Sequence, residues 1–178
     1  MSGTLHLRNR QRTRDVNLPL LRRLVRHLLT RHFQIDQYEL CFHFIASTEM
    51  ACLNETFLHH SGSTDVITFD HAEPGKAQSL HGEIFISLDD AVAQATEFRT
   101  TWQAELARYI VHGLLHLRGY DDLQPAARRK MKREENRLVQ ALADEFPLVQ
   151  LDSRSRRAPA SARRFPLRKP QRKPRLAG

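Results

Sequence analysis

The sequence predicts an α+β domain of two layers, a four-stranded sheet with helices packed mainly on one face. Three observations predict it. Short runs of strand-type residues are interleaved with longer stretches whose apolar residues recur at helical spacing. At 178 residues and 40% hydrophobic content, the chain has room for one proper core. No internal repeat divides it.

The elements follow in order. Thr4 to Arg10 alternates as a first strand. Asn17 caps a helix with Pro19 in its first turn, and Leu20, Leu21, Leu24, Val25, Leu28 and Leu29 form its apolar stripe. Arg22, Arg23, Arg26 and Arg31 decorate the outer surface of that helix, either as a phosphate-facing patch or as a solvated face. Tyr38 to Ile45 is the second strand, and Ser47 caps a helix running to about Phe57. A loop from His59 to Thr64 leads into a third strand, Val66 to Phe69. A polar loop holding Pro74 and Gly75 precedes the fourth, Glu83 to Ser87. Leu88 and Asp89 open a helix through Phe98, Thr101 caps a long helix, and Pro125 starts a final one with Met131, Leu138 and Leu142 facing inward.

The chemistry concentrates at His112-Gly113-Leu114-Leu115-His116-Leu117-Arg118-Gly119-Tyr120-Asp121-Asp122. Histidines four positions apart share one helix face, close enough for both imidazoles to reach one ion. Gly119 stands where a left-handed residue ends a helix and turns the chain back, offering Asp122 as a third ligand. Three protein ligands and an open position characterise catalytic zinc, whereas structural zinc is usually closed by four. A His-x3-His pair alone also arises by chance, but Leu106, Tyr109, Ile110, Leu114, Leu115 and Leu117 mark this helix as buried. Buried imidazoles are costly without partners, which favours the metal reading. With a carboxylate among the ligands, Zn2+ is expected, and Mn2+ or Fe2+ become competitive. A zinc peptidase of the His-Glu-x-x-His type carries its general base where this chain has Gly113, so that activity is disfavoured. Asp121 and Glu83 are candidate catalytic groups that could orient a ligand or a water, or else a turn residue and a solvent-facing strand carboxylate.

The net charge of +8 is unevenly spread. Residues 152–178 carry ten Lys/Arg against Asp152 alone, and residues 1–35 hold eight arginines and one aspartate. The tail has four prolines between Arg154 and Leu176 and few apolar residues, which predicts a disordered basic arm. The expected division is a domain over 1–147 and a tail over 148–178. Such arms neutralise phosphates without reading sequence, so RNA is the expected partner. No apolar run is long enough to span a bilayer, and Met1 to His6 lacks a signal-peptide core, so a cytoplasmic protein with no membrane partner is expected. Cys41 and Cys52 are read as small buried hydrophobes.

The metal motif closely resembles the signature His-Gly-x-Leu-His-Leu-x-Gly-Tyr-Asp-His of the YbeY family of bacterial ribosomal-RNA maturation endoribonucleases. Leu53-Asn54-Glu55-Thr56-Phe57, Thr64-Asp65-Val66-Ile67-Thr68-Phe69 and Gly82-Glu83-Ile84-Phe85-Ile86-Ser87 resemble its upstream segments, from about residue 4 to residue 146 overall. The resemblance implies a small mixed sheet covered by helices, with a metal held in a cleft beside the sheet by His112, His116 and Asp122. It also implies substrate contacts at Asn54, Thr64 and Asp65, beside Arg22 and Arg26 from the charge pattern. Asn54 could equally bond backbone within its helix, and Thr64-Asp65 could be turn residues. Two positions depart from the family: Asp122 replaces its third histidine, and Leu58 replaces an arginine that would clamp a phosphodiester. His59 could take over that part, or belong to a solvated loop.

The expected function is a metal-dependent, single-strand-specific endoribonuclease of ribosomal-RNA maturation, acting at the 16S 3′ end on the small ribosomal subunit and working as a monomer. The alternative is a non-catalytic RNA- or ribosome-binding assembly factor with a structural or vestigial metal. A third reading is a metal-dependent hydrolase of another substrate.

Overall fold

Alternating apolar positions on three strands fix which face of the sheet meets the helices. In the computed structural model, which describes residues 2–72 and 79–157, β1 (Ser2–Asn9), β2 (Gln37–Ile45), β3 (Val66–Asp70) and β4 (Ser79–Ser87) form one sheet in the order β1-β2-β4-β3. β1 pairs parallel with β2, β2 parallel with β4, and β3 antiparallel with β4, so the sheet is mixed. Leu5, Leu40, Phe42, Phe44, Ile84 and Ile86 are buried in the main core on one side. The intervening residues Cys41, His43, Glu83 and Phe85 therefore point to the opposite face.

On the core face lie α1 (Leu18–His27), α4 (Trp102–Leu117) and α5 (Pro125–Glu145). The Asn17 side chain accepts from the Leu20 amide at 3.2 Å, as its type and the adjacent Pro19 predict. α1 then widens into a π turn, Leu28–His32. α3 (Leu88–Phe98) is capped by Ser87 and joins β4 to α4. The short α2 (Ser47–Leu53) covers part of the far face, where Ile45, Met50 and Ile67 make a small second core.

Several boundaries differ from the sequence expectation. α2 stops at Leu53 and continues as a π turn over Asn54–Leu58. Its N-cap is Ala46, because the Ser47 amide is held from outside, by Asp89 Oδ2 at 2.7 Å. β4 begins at Ser79 rather than Glu83, since the whole segment extends the ladder with β2 from Gln37 onward. Cys41 is only half-buried and Cys52 is exposed. The expected break between residues 147 and 148 is not where packing ends. Leu148–Leu151 forms a 3-10 turn with Leu148 and Leu151 fully buried in the main core, and Val16 bridges to Asp152. Ser153–Arg157 makes a further 3-10 turn. The loop of Pro74 and Gly75 and residues 158–178 lie outside the described residues. Among the described residues, no helix is long and apolar enough to cross a membrane.

Candidate metal centre

α4 is buried almost all round, between the sheet, α3 and α5. The Thr101 hydroxyl accepts from the Ala104 amide at 3.2 Å and fixes its start. A Cβ on Gly113 would lie 2.7 Å from Ile84 Cγ2, so only glycine lets α4 sit this close to β4. That contact explains why a peptidase-type glutamate has no room here. Gly119, at φ +80°, ends the helix: its amide donates to the His116 carbonyl at 2.8 Å and the Tyr120 amide to the Leu115 carbonyl at 3.0 Å.

This stop shapes the site. The Tyr120 carbonyl comes back to accept a hydrogen bond from His116 Nδ1 at 3.1 Å, and the carboxylate of Glu135 on α5 accepts from His112 Nδ1 at 3.0 Å. Both acceptors lack a proton, so each Nδ1 carries a hydrogen, and in the neutral rings each Nε2 presents a lone pair. The two Nε2 atoms lie 3.1 Å apart. Burial, then the neighbouring His112, push the His116 pKa down, keeping the ring neutral. Two lone pairs held face to face repel unless a cation stands between them. Asp122 closes the set: one ligand atom from each of His112, His116 and Asp122 lies within 4.8 Å of the others. Ligands about 2.1 Å from a tetrahedral zinc stand about 3.4 Å from one another, so the residues fit a metal.

Sequence reasoning missed what stands behind this pair. Glu105, Arg108, His112 and His116 form one polar stripe on a largely apolar helix, and all of Glu105, Arg108 and Glu135 are buried. Arg108 donates to Glu135, and to Asn136 Oδ1 at 2.9 Å, while Lys132 Nζ donates to Glu135 at 2.6 Å. Burial acts to raise the Glu135 pKa, but the His112 hydrogen bond and the Lys132 and Arg108 charges hold it at about 2. A permanent carboxylate behind an imidazole fixes its tautomer and raises its basicity toward a metal. The available signal was the place of Glu135 on the inward stripe of Met131, Leu138 and Leu142.

The other predicted residues fall elsewhere. Asp121 is exposed and accepts from the Leu123 amide at 2.9 Å, which is a turn role. Glu83 points away from α4, on the far face of the sheet, and accepts from His43 Nε2 at 2.7 Å; it does not meet the histidine pair. His59 is exposed at φ 57°, closing the second π turn, and Leu58 beside it is also exposed. Asn54 is buried and donates from Nδ2 to the Gly62 carbonyl at 2.8 Å, clamping the loop. Asp65 accepts from Thr64 and from the Val66 amide, and its carbonyl accepts from the Ser87 amide. That end of β4 is five residues, about 16 Å, from Gly82, over which Leu117 of α4 packs. Thr64 and Asp65 thus sit at the Ser87 end of β4, displaced along the sheet from the last turn of α4, and Asn54 clamps the loop that leads to them. Arg22 donates to the Leu5 carbonyl and ties α1 to β1, whereas Arg26 is exposed.

Residues 6–143 match the model of the family described as Endoribonuclease YbeY. The chain belongs to the YbeY family. A relative from Salinibacter ruber, named Endoribonuclease YbeY, is 40% identical over 96 residues, which span 51% of this chain and 61% of the relative. One from Parabacteroides distasonis, of the same name, is 37% identical over 107 residues, spanning 60% of this chain and 73% of the relative. The match therefore spans less than two thirds of the first relative. The solution structure of TM1509 from Thermotoga maritima shares the fold, with a TM-score of 0.56 at 24% identity over 82% of this chain and 95% of that one.

Proposed function

We propose that the chain is a metal-dependent endoribonuclease that cuts single-stranded RNA in ribosomal-RNA maturation, at the 3′ end of the 16S RNA in the small ribosomal subunit. The observation that carries the reading is the pair of His112 and His116 Nε2 atoms converging at 3.1 Å with both Nδ1 positions already bonded. Family membership supplies the RNA substrate class, since the relatives are named endoribonucleases. His112, His116 and Asp122 would hold a divalent transition metal, Zn2+ first, with Mn2+ or Fe2+ admitted by the carboxylate ligand. A metal bound there supplies Lewis acidity toward a phosphoryl oxygen and lowers the pKa of water.

The chain's own groups set the rest. Glu135 and the Tyr120 carbonyl hold the rings in the ligating tautomer, and Asp122 lowers the charge of the site by one. Arg23 and Arg26, exposed on α1, together with the arginines of the basic C-terminal sequence, would hold the phosphate backbone with an affinity that falls as salt rises. The protein would act in the cytoplasm as a monomer. Leu58, exposed where the family has an arginine, favours a second reading in which the chain binds ribosomal RNA without cutting it.

One substitution separates the two readings. His116→Ala is expected to lower cleavage of single-stranded RNA by about a thousandfold or more while RNA affinity stays within about twofold. Unchanged cleavage would overturn the enzymatic assignment of this site. Absence of cleavage in the metal-loaded wild type, with RNA affinity intact, would leave the binding factor.

A further inference from the structure

Among the described residues, one other cluster brings three ligand-type side chains together: His27 and His32 at the end of α1 and Glu145 at the end of α5, one ligand atom of each within 4.8 Å of the others. On an α-helix, residues five apart point about 140° away from each other. Here the π turn over Leu28–His32, closed by the Phe33 amide donating to the Leu28 carbonyl at 2.9 Å, stacks them instead. The two rings stand edge to face with centroids 5.3 Å apart. Phe146 packs against the open side of His27, its ring 5.2 Å away.

The polar atoms of this cluster converge without satisfying one another. His27 Nε2 lies 2.6 Å from one Glu145 oxygen and His32 Nε2 lies 3.7 Å from the other. Both ring nitrogens are shielded from solvent, and neither has a hydrogen-bond partner. Burial, with His27 alongside, lowers the His32 pKa. The residues lie in the last turns of α1 with its π extension and of α5, where the partial negative charge of a helix C-terminus favours a cation. Arg137 opposes a cation and Glu134 offsets it, both on the neighbouring stretch of α5.

We propose that His27, His32 and Glu145 form a second divalent transition-metal site, distinct from the one on α4, that ties the end of α1 to the end of α5. Two imidazoles and one carboxylate are a sufficient zinc set, with the remaining position open to water on the half-exposed Glu145 side. The site lies ten residues, about 15 Å, along α5 from Glu135, so the two ions do not share ligands.

The test is zinc titration of the chelator-stripped full chain, read by elemental analysis after dialysis and by melting temperature. Wild type is expected to hold about two equivalents, His116→Ala one and His32→Gln one, with RNA cleavage by His32→Gln unchanged. Glu145→Gln, at a half-exposed position that leaves the fold intact, should weaken the second equivalent by more than about tenfold. The zinc-dependent rise in melting temperature of His116→Ala should vanish when His32→Gln is added. The proposal is overturned if His116→Ala takes up no zinc, or if His32→Gln and Glu145→Gln both leave its uptake unchanged. Neither result bears on whether the α4 site cuts RNA, because the His116→Ala background removes that site from the readout.

Discussion

The two histidine pairs of this chain reach the same composition, two imidazoles and a carboxylate, by opposite routes. On α4 the pair is four residues apart on a regular helix, and every ring nitrogen not facing its partner is engaged, by Glu135 or by the Tyr120 carbonyl. At the end of α1 the pair is five residues apart and meets only because the helix widens into a π turn. There the facing carboxylate comes from a helix end and the two Nε2 atoms lack hydrogen bonds. The difference teaches that a built site is recognised by what stands behind its ligands. A buried Arg108–Glu135 pair holds the His112 imidazole, and the Tyr120 carbonyl that of His116, before any ion arrives, whereas the π-turn pair would be organised largely by the ion itself.

Removing the support should therefore separate the sites. Glu135→Ala leaves Arg108, 6% exposed, with only the more distant Glu105 carboxylate, 3.8 Å from its Nε, and is expected to cost about 3 kcal/mol in urea unfolding. It should also weaken zinc at His112 and His116 by about 10–100-fold and leave the π-turn site unaffected. Equal losses at both sites would show that the distinction between them is false. Gly113→Ala tests how much the α4 pair depends on the sheet. Its Cβ meets Ile84 at 2.7 Å, so the expected cost is about 1–3 kcal/mol, again with no change in zinc uptake at His27 and His32.

The smallest effect concerns His43, a histidine bonded to a carboxylate on the far face of the sheet, outside both ligand sets. His43 stacks on Phe85 at 4.2 Å on the far face and donates to Glu83. Burial lowers its pKa, and the Glu83 hydrogen bond opposes that without cancelling it. The neutral form is thus favoured in the folded state. Its contribution to stability is complete above about pH 6.5 and is lost as the pH falls through the lowered folded value. His43→Phe keeps the stack and should flatten the fall in stability between about pH 7.5 and pH 5 by roughly 1 kcal/mol or less. An unchanged acid limb would mean that His43 titrates alike in both states.

Where local spacing decides, the chain was legible. Asn17 and Thr101 each accept a hydrogen bond from a first-turn amide of the helix they precede, and Gly119 adopts the left-handed stop its position requires. Where partners are distant in sequence, it was not. Glu83 reads as a neighbour of the metal only until strand alternation sends it to the opposite face. Thr64 and Asp65 read as substrate contacts or as turn residues, and their hydrogen bonds lie in the turn that enters β3. The segment after residue 147 reads as tail by composition, but Leu148 and Leu151 fill the core that α1 and α4 leave open.

By itself the sequence determined the order of helices and strands, the His112–His116 pair and the turn that returns Asp122, because each follows from covalent spacing on one helix and its stop. Only the tertiary structure decided that Glu135 stands behind His112, that Arg108 is buried against it, and that His27, His32 and Glu145 meet. Those contacts join residues that become neighbours only when helices pack on a common sheet, and packing is set by the whole core rather than by any local pattern.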